Sequence, residues 1–262
     1  MTIDIHTHIY DEKSYELYFS KSHGRVDKLL VLHWYKDNLN KLQEFVSSKS
    51  NLYLVGSVDM TGDIDNQLKI NDKLFRENKI FGIKLYPGYQ YFYPSDETVF
   101  QVAELCQKYN KPLIFHSGDV YDTDGNALLK YAHPIYIDEL AVKYPECKII
   151  ISHFGFPYLL ETANIVYKNK NVYTDISGTL LFDGSYKIGD LKNIKRQYID
   201  DLKRILNYFP EIKNKIMFGT DFGDGDTPFN ETDDHIGIVN KVFNKNERDS
   251  VFYQLAERLF FK

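Results

Sequence analysis

Eight short apolar runs recur along the chain, and most are separated by longer stretches whose apolar residues fall at helical spacing. The runs cover residues 2–5, 28–32, 52–58, 81–85, 112–115, 148–152, 171–174 and 215–218, each about the length of a strand. The amphipathic stretches cover residues 38–47, 64–77, 96–109, 135–143, 158–167, 198–208, 233–243 and 247–260. In 96–109, Val99, Val102, Ala103, Leu105 and Cys106 make the apolar stripe, and Ser95 and Asp96 are the candidate N-caps. Strands that alternate with helices predict a parallel sheet joined by right-handed crossovers. Eight of them predict closure into an α/β barrel of the (β/α)8 (TIM) type. The length of 262 residues suits that architecture. No repeat, low-complexity tract or linker-like run divides the sequence, so residues 1–262 are expected to form one barrel domain. The longest irregular stretch, 177–194, has the length of a binding loop.

Composition narrows the function classes. A net charge of −5 argues against nucleic acid as a partner, which calls for a basic face. No run approaches the roughly 20 apolar residues needed to span a bilayer, and the N-terminus lacks the pattern of a secretory signal. Cys106 and Cys147, without a CxxC partner, read as buried thiols in a reducing compartment. A cytoplasmic protein acting on a small molecule is the expectation.

In barrels of this kind chemistry sits at the C-terminal ends of the strands. The first run leads into His6-Thr7-His8, the fourth holds Lys84, the fifth leads to His116, the sixth to His153 and the eighth to Asp221. Residues two apart on a strand share a face, so strict alternation puts Asp4, His6 and His8 towards the mouth and Ile3 and Ile5 outward against helices. Two imidazoles on one strand are half of a metal site, which His116 and Asp221 would complete. Such a mixed nitrogen and oxygen set suits one divalent ion, zinc first, with manganese or another divalent ion as alternatives.

These segments also resemble a known family. Asp4-Ile5-His6-Thr7-His8, Gly82-Ile83-Lys84-Leu85-Tyr86-Pro87 with Gln90, His116-Ser117-Gly118, Ser152-His153-Phe154-Gly155 and Phe218-Gly219-Thr220-Asp221-Phe222 occur in the order found in the family-2 branch of the amidohydrolase superfamily. The resemblance runs the length of the chain. It implies a (β/α)8 barrel, metal ligation by His6, His8, His116 and Asp221, and a place for His153 beside the metal, touching the attacking water or the substrate. Members often pair, so a homodimer is compatible with it. The family often has His where Tyr86 stands and Asn where Leu255 stands, which leaves the substrate open.

The expected chemistry is hydrolysis of an amide, lactone or ester. Asp221 would take the proton of the attacking water and His153 would polarise the carbonyl. The same site could instead decarboxylate an aromatic or unsaturated acid, with Arg25 and Lys84 as candidate clamps; a barrel that binds metal without turnover is the third reading. Lys84 could bind substrate, bridge metals or pair with a carboxylate. Tyr86 heads an aromatic stretch, Tyr89, Tyr91, Phe92 and Tyr93, that either packs the loop or forms a wall against the substrate. Asp119, Asp122 and Asp124 read as a solvated acidic loop, His33 as structural, and His133 as a residue that sets the turn into a helix.

Overall fold

A computed structural model describes residues 1–120, 125–178, 188–223 and 231–262. Eight parallel strands lie in sequence order: β1 Ile3–Thr7, β2 Lys28–Leu32, β3 Leu52–Ser57, β4 Ile83–Leu85, β5 Leu113–Phe115, β6 Ile149–Ile151, β7 Val172–Asp175 and β8 Ile216–Met217. The barrel closes where the β8 end meets β1: Ile5 N donates to Phe218 O at 3.2 Å, Asp221 N to His6 O at 2.8 Å and His8 N to Phe222 O at 2.7 Å. Every strand coincides with one of the eight apolar runs to within two residues at either end.

The helices are α1 Glu12–Ser22, α2 Leu39–Ser47, α3 Ile64–Arg76, α4 Glu97–Lys108, α5 Leu129–Ala132, α6 Ile135–Lys143, α7 Leu159–Lys168, α8 Ile188–Tyr208, α9 Glu231–Val242 and α10 Lys245–Asp249. Asp96 stands at the N-cap of α4, but its carboxylate turns back to accept from Tyr93 N at 2.8 Å. Three differences from the expected elements stand out. No helix is expected after the first apolar run, yet α1 forms there behind a capping box of Asp11 and Ser14. Within 177–194, expected to be irregular, α8 already runs from Ile188. The closing helix begins at α10 and continues as π-helical turns at Ser250–Gln254 and Glu257–Phe261.

Two cores follow from the alternation along the strands. One lies between strands and helices and holds Leu29, Val31, Leu54, Ile83, Leu85, Phe115 and Ile151 with Tyr18 of α1 and Val99 of α4. The other gathers Ile3, Ile5, Leu30, Leu32, Val55, Ile114, Ile150 and Met217. Residues from β1, β2, β3, β5, β6 and β8 can meet only inside the barrel, so this second cluster is its interior. Leu255, Leu259 and Phe260 of the closing helix pack into it from the N-terminal end of the strands. Lys111 Nζ donates to Phe260 O at 2.5 Å and Lys148 Nζ to Leu259 O at 3.4 Å, satisfying carbonyls in the last turn of that helix.

The placement of Ile3 and Ile5 overturns strict alternation on β1. They point inward, while Asp4 points outward and accepts from Tyr18 Oη of α1 at 2.9 Å. The reason is a register shift between Asp4 and Thr7: Asp4 pairs with Leu29 and Thr7 with Val31, three residues against two. The extra residue restarts the alternation, so His6 faces the barrel axis next to inward-facing Ile5. Asp4 therefore reaches no imidazole ring. It accepts from His6 N at 3.1 Å, from Thr220 N at 3.1 Å and from Thr220 Oγ1 at 2.6 Å, tying β1 to the segment after β8. Burial pushes its carboxyl up to about 7, against the pull of these four donors.

Candidate metal centre

The mouth of the barrel is built by one step of the strand repeat. On β4, Lys84 points inward between outward Ile83 and Leu85. On β5 and β6, His116 and Ser152 stand two residues beyond the interior Ile114 and Ile150. On β7, Asp175 stands two beyond Tyr173, which packs against the same interior. His6 joins this layer through the bulge.

Four imidazoles share the layer, and each has one nitrogen committed to a protein oxygen. His6 Nδ1 lies 3.3 Å from Asp175 Oδ2 and 3.0 Å from Ser177 Oγ. His8 Nδ1 lies 2.8 Å from Tyr10 Oη, whose own proton goes to Leu32 O at 2.9 Å. His153 Nδ1 faces Ser177 O at 3.3 Å, and His116 Nε2 faces Asp119 O at 2.9 Å. A carboxylate or carbonyl oxygen accepts only, so the facing ring nitrogen carries the hydrogen; Tyr10 Oη, its proton spent, also accepts. The opposite nitrogens are then electron-pair donors: His6 Nε2, His8 Nε2, His116 Nδ1 and His153 Nε2.

These donors converge. His6 Nε2 and His8 Nε2 each lie 3.2 Å from Asp221 Oδ1, and the ligand atoms of His6, His8 and Asp221 all fall within 4.8 Å of one another. His116 Nδ1 sits 3.2 Å from His153 Nε2, beside that triad, and the His6 and His153 rings are 4.7 Å apart. Electron pairs that face one another with no hydrogen between them are the chemistry of a cation site, and the residues present fit a divalent ion. A second group, His6, His153 and Asp175, also lies within 4.8 Å. Its carboxylate already accepts from His6 Nδ1, from His153 N at 2.9 Å, from Ser177 N at 3.0 Å and from Ser177 Oγ, which marks Asp175 as the group that orients the others.

Electrostatics keep these groups in ligand form. Burial, with Lys84 nearby, pushes His6 down to about 3; burial also lowers His153, and burial with His153 holds His116 well below the usual range. Burial alone would raise Asp221 and Asp175, but adjacent histidines outweigh it and hold both carboxyls well below the usual range. Lys84, fully buried, is pushed down to about 8 by burial against the pull of Asp175 and Asp221; its Nζ donates to Ser152 Oγ at 2.5 Å.

The backbone is unusual where it matters. His153 and Asp221 hold φ of 60° and 63°, the left-handed region that non-glycine residues seldom adopt. Gly178, φ 73°, passes so close that a Cβ there would lie 2.4 Å from His153 Nδ1 and 3.0 Å from Asp221 Oδ2.

A profile of the amidohydrolase family matches residues 54–262. The chain belongs to this family, in its family-2 branch. Among solved structures, this amidohydrolase is similar to a zinc-bound amidohydrolase from Burkholderia multivorans (14% identity, 100% and 99% of the two chains, TM-score 0.69). It is similar also to a probable 2-pyrone-4,6-dicarboxylic acid hydrolase from Acinetobacter baumannii, with citric acid bound (14%, 100% and 99%, TM-score 0.69). A third is a dihydroxybenzoic acid decarboxylase from Polaromonas, with manganese and 2-nitroresorcinol bound (14%, 99% and 96%, TM-score 0.66). At such identities the likeness shows a shared barrel. No curated protein matches the sequence.

The other residues singled out in the sequence fall into place around the centre. Tyr86 is 2% exposed and donates to His33 O at 2.8 Å; Trp34 packs on its ring, and Tyr89 lies against both Trp34 and His116. Tyr91 and Tyr93 pack on Tyr131 in the loop. Arg25 pairs with Asp233, at the α1–α9 side of the barrel. His33 is held by Ser57 Oγ at 2.6 Å and Asp37 O at 3.0 Å, and His133 Nδ1 caps α6 by accepting from Ile135 N at 3.2 Å. Asp122 and Asp124 lie outside the described residues. Cys106 and Cys147 are buried free thiols. No helix among the described residues is long and apolar enough to cross a membrane. Sequence reasoning missed Asp175, Ser177 and Tyr10; the same scan of strand ends, carried to the seventh run, reaches Thr174-Asp175.

Proposed function

We propose that this amidohydrolase is a metal-dependent hydrolase that uses water to cleave an amide, lactone or ester bond of a small organic substrate. The observation that carries this reading is the convergence of unprotonated imidazole nitrogens on the ionised Asp221, each imidazole locked from behind. His6, His8, His116 and Asp221 would hold one divalent ion, zinc or manganese. When bound, such an ion supplies Lewis acidity, polarising a carbonyl oxygen and letting water ionise near pH ~7.

The chain's own residues then divide the proton work. Asp221 turns Oδ1 to His6 and His8 and keeps Oδ2 on the side of His153, 3.9 Å from Nδ1, where it can accept a proton from the attacking water. His153 gives its Nδ1 hydrogen to Ser177, so in neutral form its Nε2 can only accept. This favours a different role from the carbonyl-polarising one expected from sequence: His153 takes at Nε2 the proton that Asp221 received from the water and then, as imidazolium, hands it to the leaving group. Lys84, wholly buried beneath the imidazoles, balances the charges of Asp175 and Asp221.

A second reading keeps the site and changes the reaction. Tyr89, half-buried beside His116, and Trp34, half-buried against Tyr89, offer rings that suit an aromatic acid, the class of substrate named for the similar decarboxylase from Polaromonas. Against it, Arg25 is paired with Asp233, which leaves Lys84 as the cation at this site among the described residues. Turnover in ¹⁸O-labelled water with ¹³C-carboxyl substrates separates the two. Hydrolysis puts ¹⁸O into a product acid; labelled CO₂ released without ¹⁸O incorporation into the organic product would reject hydrolysis in favour of decarboxylation.

A further inference from the structure

His6 and His8 are two residues apart and face the same carboxylate oxygen, yet what holds them differs. His6 is backed by the carboxylate of Asp175 and its side chain is 2% exposed; His8 is backed by a neutral phenol and its side chain is 23% exposed. Tyr10 is itself fixed from two sides. Its backbone N donates to Ser14 Oγ at 3.1 Å within the cap of α1, and its hydroxyl donates to Leu32 O at the end of β2. Since that proton is spent on Leu32, the phenol oxygen can only accept from His8, which forces the hydrogen onto Nδ1 and turns the Nε2 electron pair to Asp221.

We propose that Tyr10 is the positioning residue of the metal centre, setting the ring orientation and tautomer of His8, and that His8 is the ligand through which the ion enters and leaves. This rests on the metal centre proposed above. Of the two imidazoles His8 is the one backed by a neutral group, and it is the one that water reaches.

The test is Zn²⁺ affinity and release, measured by competition with a chromophoric chelator on the metal-free full chain, for wild type, Tyr10→Phe, His8→Ala and the double variant. Tyr10→Phe should bind Zn²⁺ about 10–100-fold more weakly and release it correspondingly faster. The metal-free melting temperature should fall by no more than about 4–8 °C, the loss of the two hydrogen bonds of the hydroxyl, from His8 and to Leu32. In the His8→Ala background Tyr10→Phe should change affinity no further, because it acts only through that ring. Unchanged affinity in Tyr10→Phe, with His8→Ala weakened, overturns the role of Tyr10 and leaves the metal centre standing. Additive losses in the double variant overturn it as well. If His8→Ala itself binds Zn²⁺ as wild type does, the metal centre fails together with it.

Discussion

The two ends of this barrel are made from the same strands and solve opposite problems. At the N-terminal end, Leu255, Leu259 and Phe260 fill the interior with apolar side chains, and Lys111 and Lys148 satisfy the final helix carbonyls. At the C-terminal end, one or two residues further along each strand, the interior holds His6, Lys84, His116, Ser152 and Asp175, nearly all water-excluded. Two residues there, His153 and Asp221, adopt left-handed backbone. Burying charge and straining backbone both oppose folding. The floor contributes stability, and the mouth spends some of it to hold groups in a reactive state.

That contrast can be broken from either end. The largest effect is expected at the mouth: Asp221→Asn removes the carboxylate facing two imidazoles and should lower kcat/KM by about 10²–10⁴-fold. Its metal-free unfolding midpoint should move little beside the fall expected at the floor; a fall as large as that would show that Asp221 is there for stability. At the floor the signs reverse. Phe260→Ala should cost about 3–5 kcal/mol of stability by denaturant unfolding. Its Zn²⁺ affinity, measured below the unfolding transition, should match wild type, and a matching loss would mean that floor and mouth are one cooperative unit.

Lys84 sharpens the comparison through pH. Its pKa in the folded chain is about 8 against an ordinary 10.5, so between those values the unfolded chain binds more protons. Metal-free wild type should therefore gain stability as pH rises from about 8 to about 10.5, on the order of 3 kcal/mol. Lys84→Met should lack that rise, and parallel pH curves would show that Lys84 is not held in a desolvated state. The smallest effect is expected from Asp175→Asn, which keeps the shape but weakens the acceptor behind His6. Metal affinity should fall about 10–100-fold, with kcat/KM following it.

How much of this was legible in the sequence follows from what each element shows to the core. All eight strands were visible because short apolar runs mark buried strands. α1 was not, because the residues it buries are Ser14, Tyr18 and Ser22, which make no apolar stripe. The rim histidines, Lys84 and Asp221 were found by asking what stands at strand ends, and the family by their order. The inward turn of Ile3 and Ile5 was not readable, since a bulge changes which side chains face inward without changing the composition of the strand. Asp175 escaped because one aspartate after a threonine carries no motif; it declares itself only when His6, His153 and Ser177 are seen around it. Tyr10 escaped for a related reason: its role depends on Leu32 O, a backbone atom 22 residues away.

The account turns on the claim that these histidines and Asp221 bind a divalent ion. The direct test is metal content by plasma mass spectrometry on protein purified without chelator or a metal-binding tag, beside a His6→Ala/His8→Ala variant. The account predicts about one equivalent of zinc or manganese in the wild type, lost in the variant. A wild type that holds no transition metal even after incubation with Zn²⁺ or Mn²⁺ would contradict it.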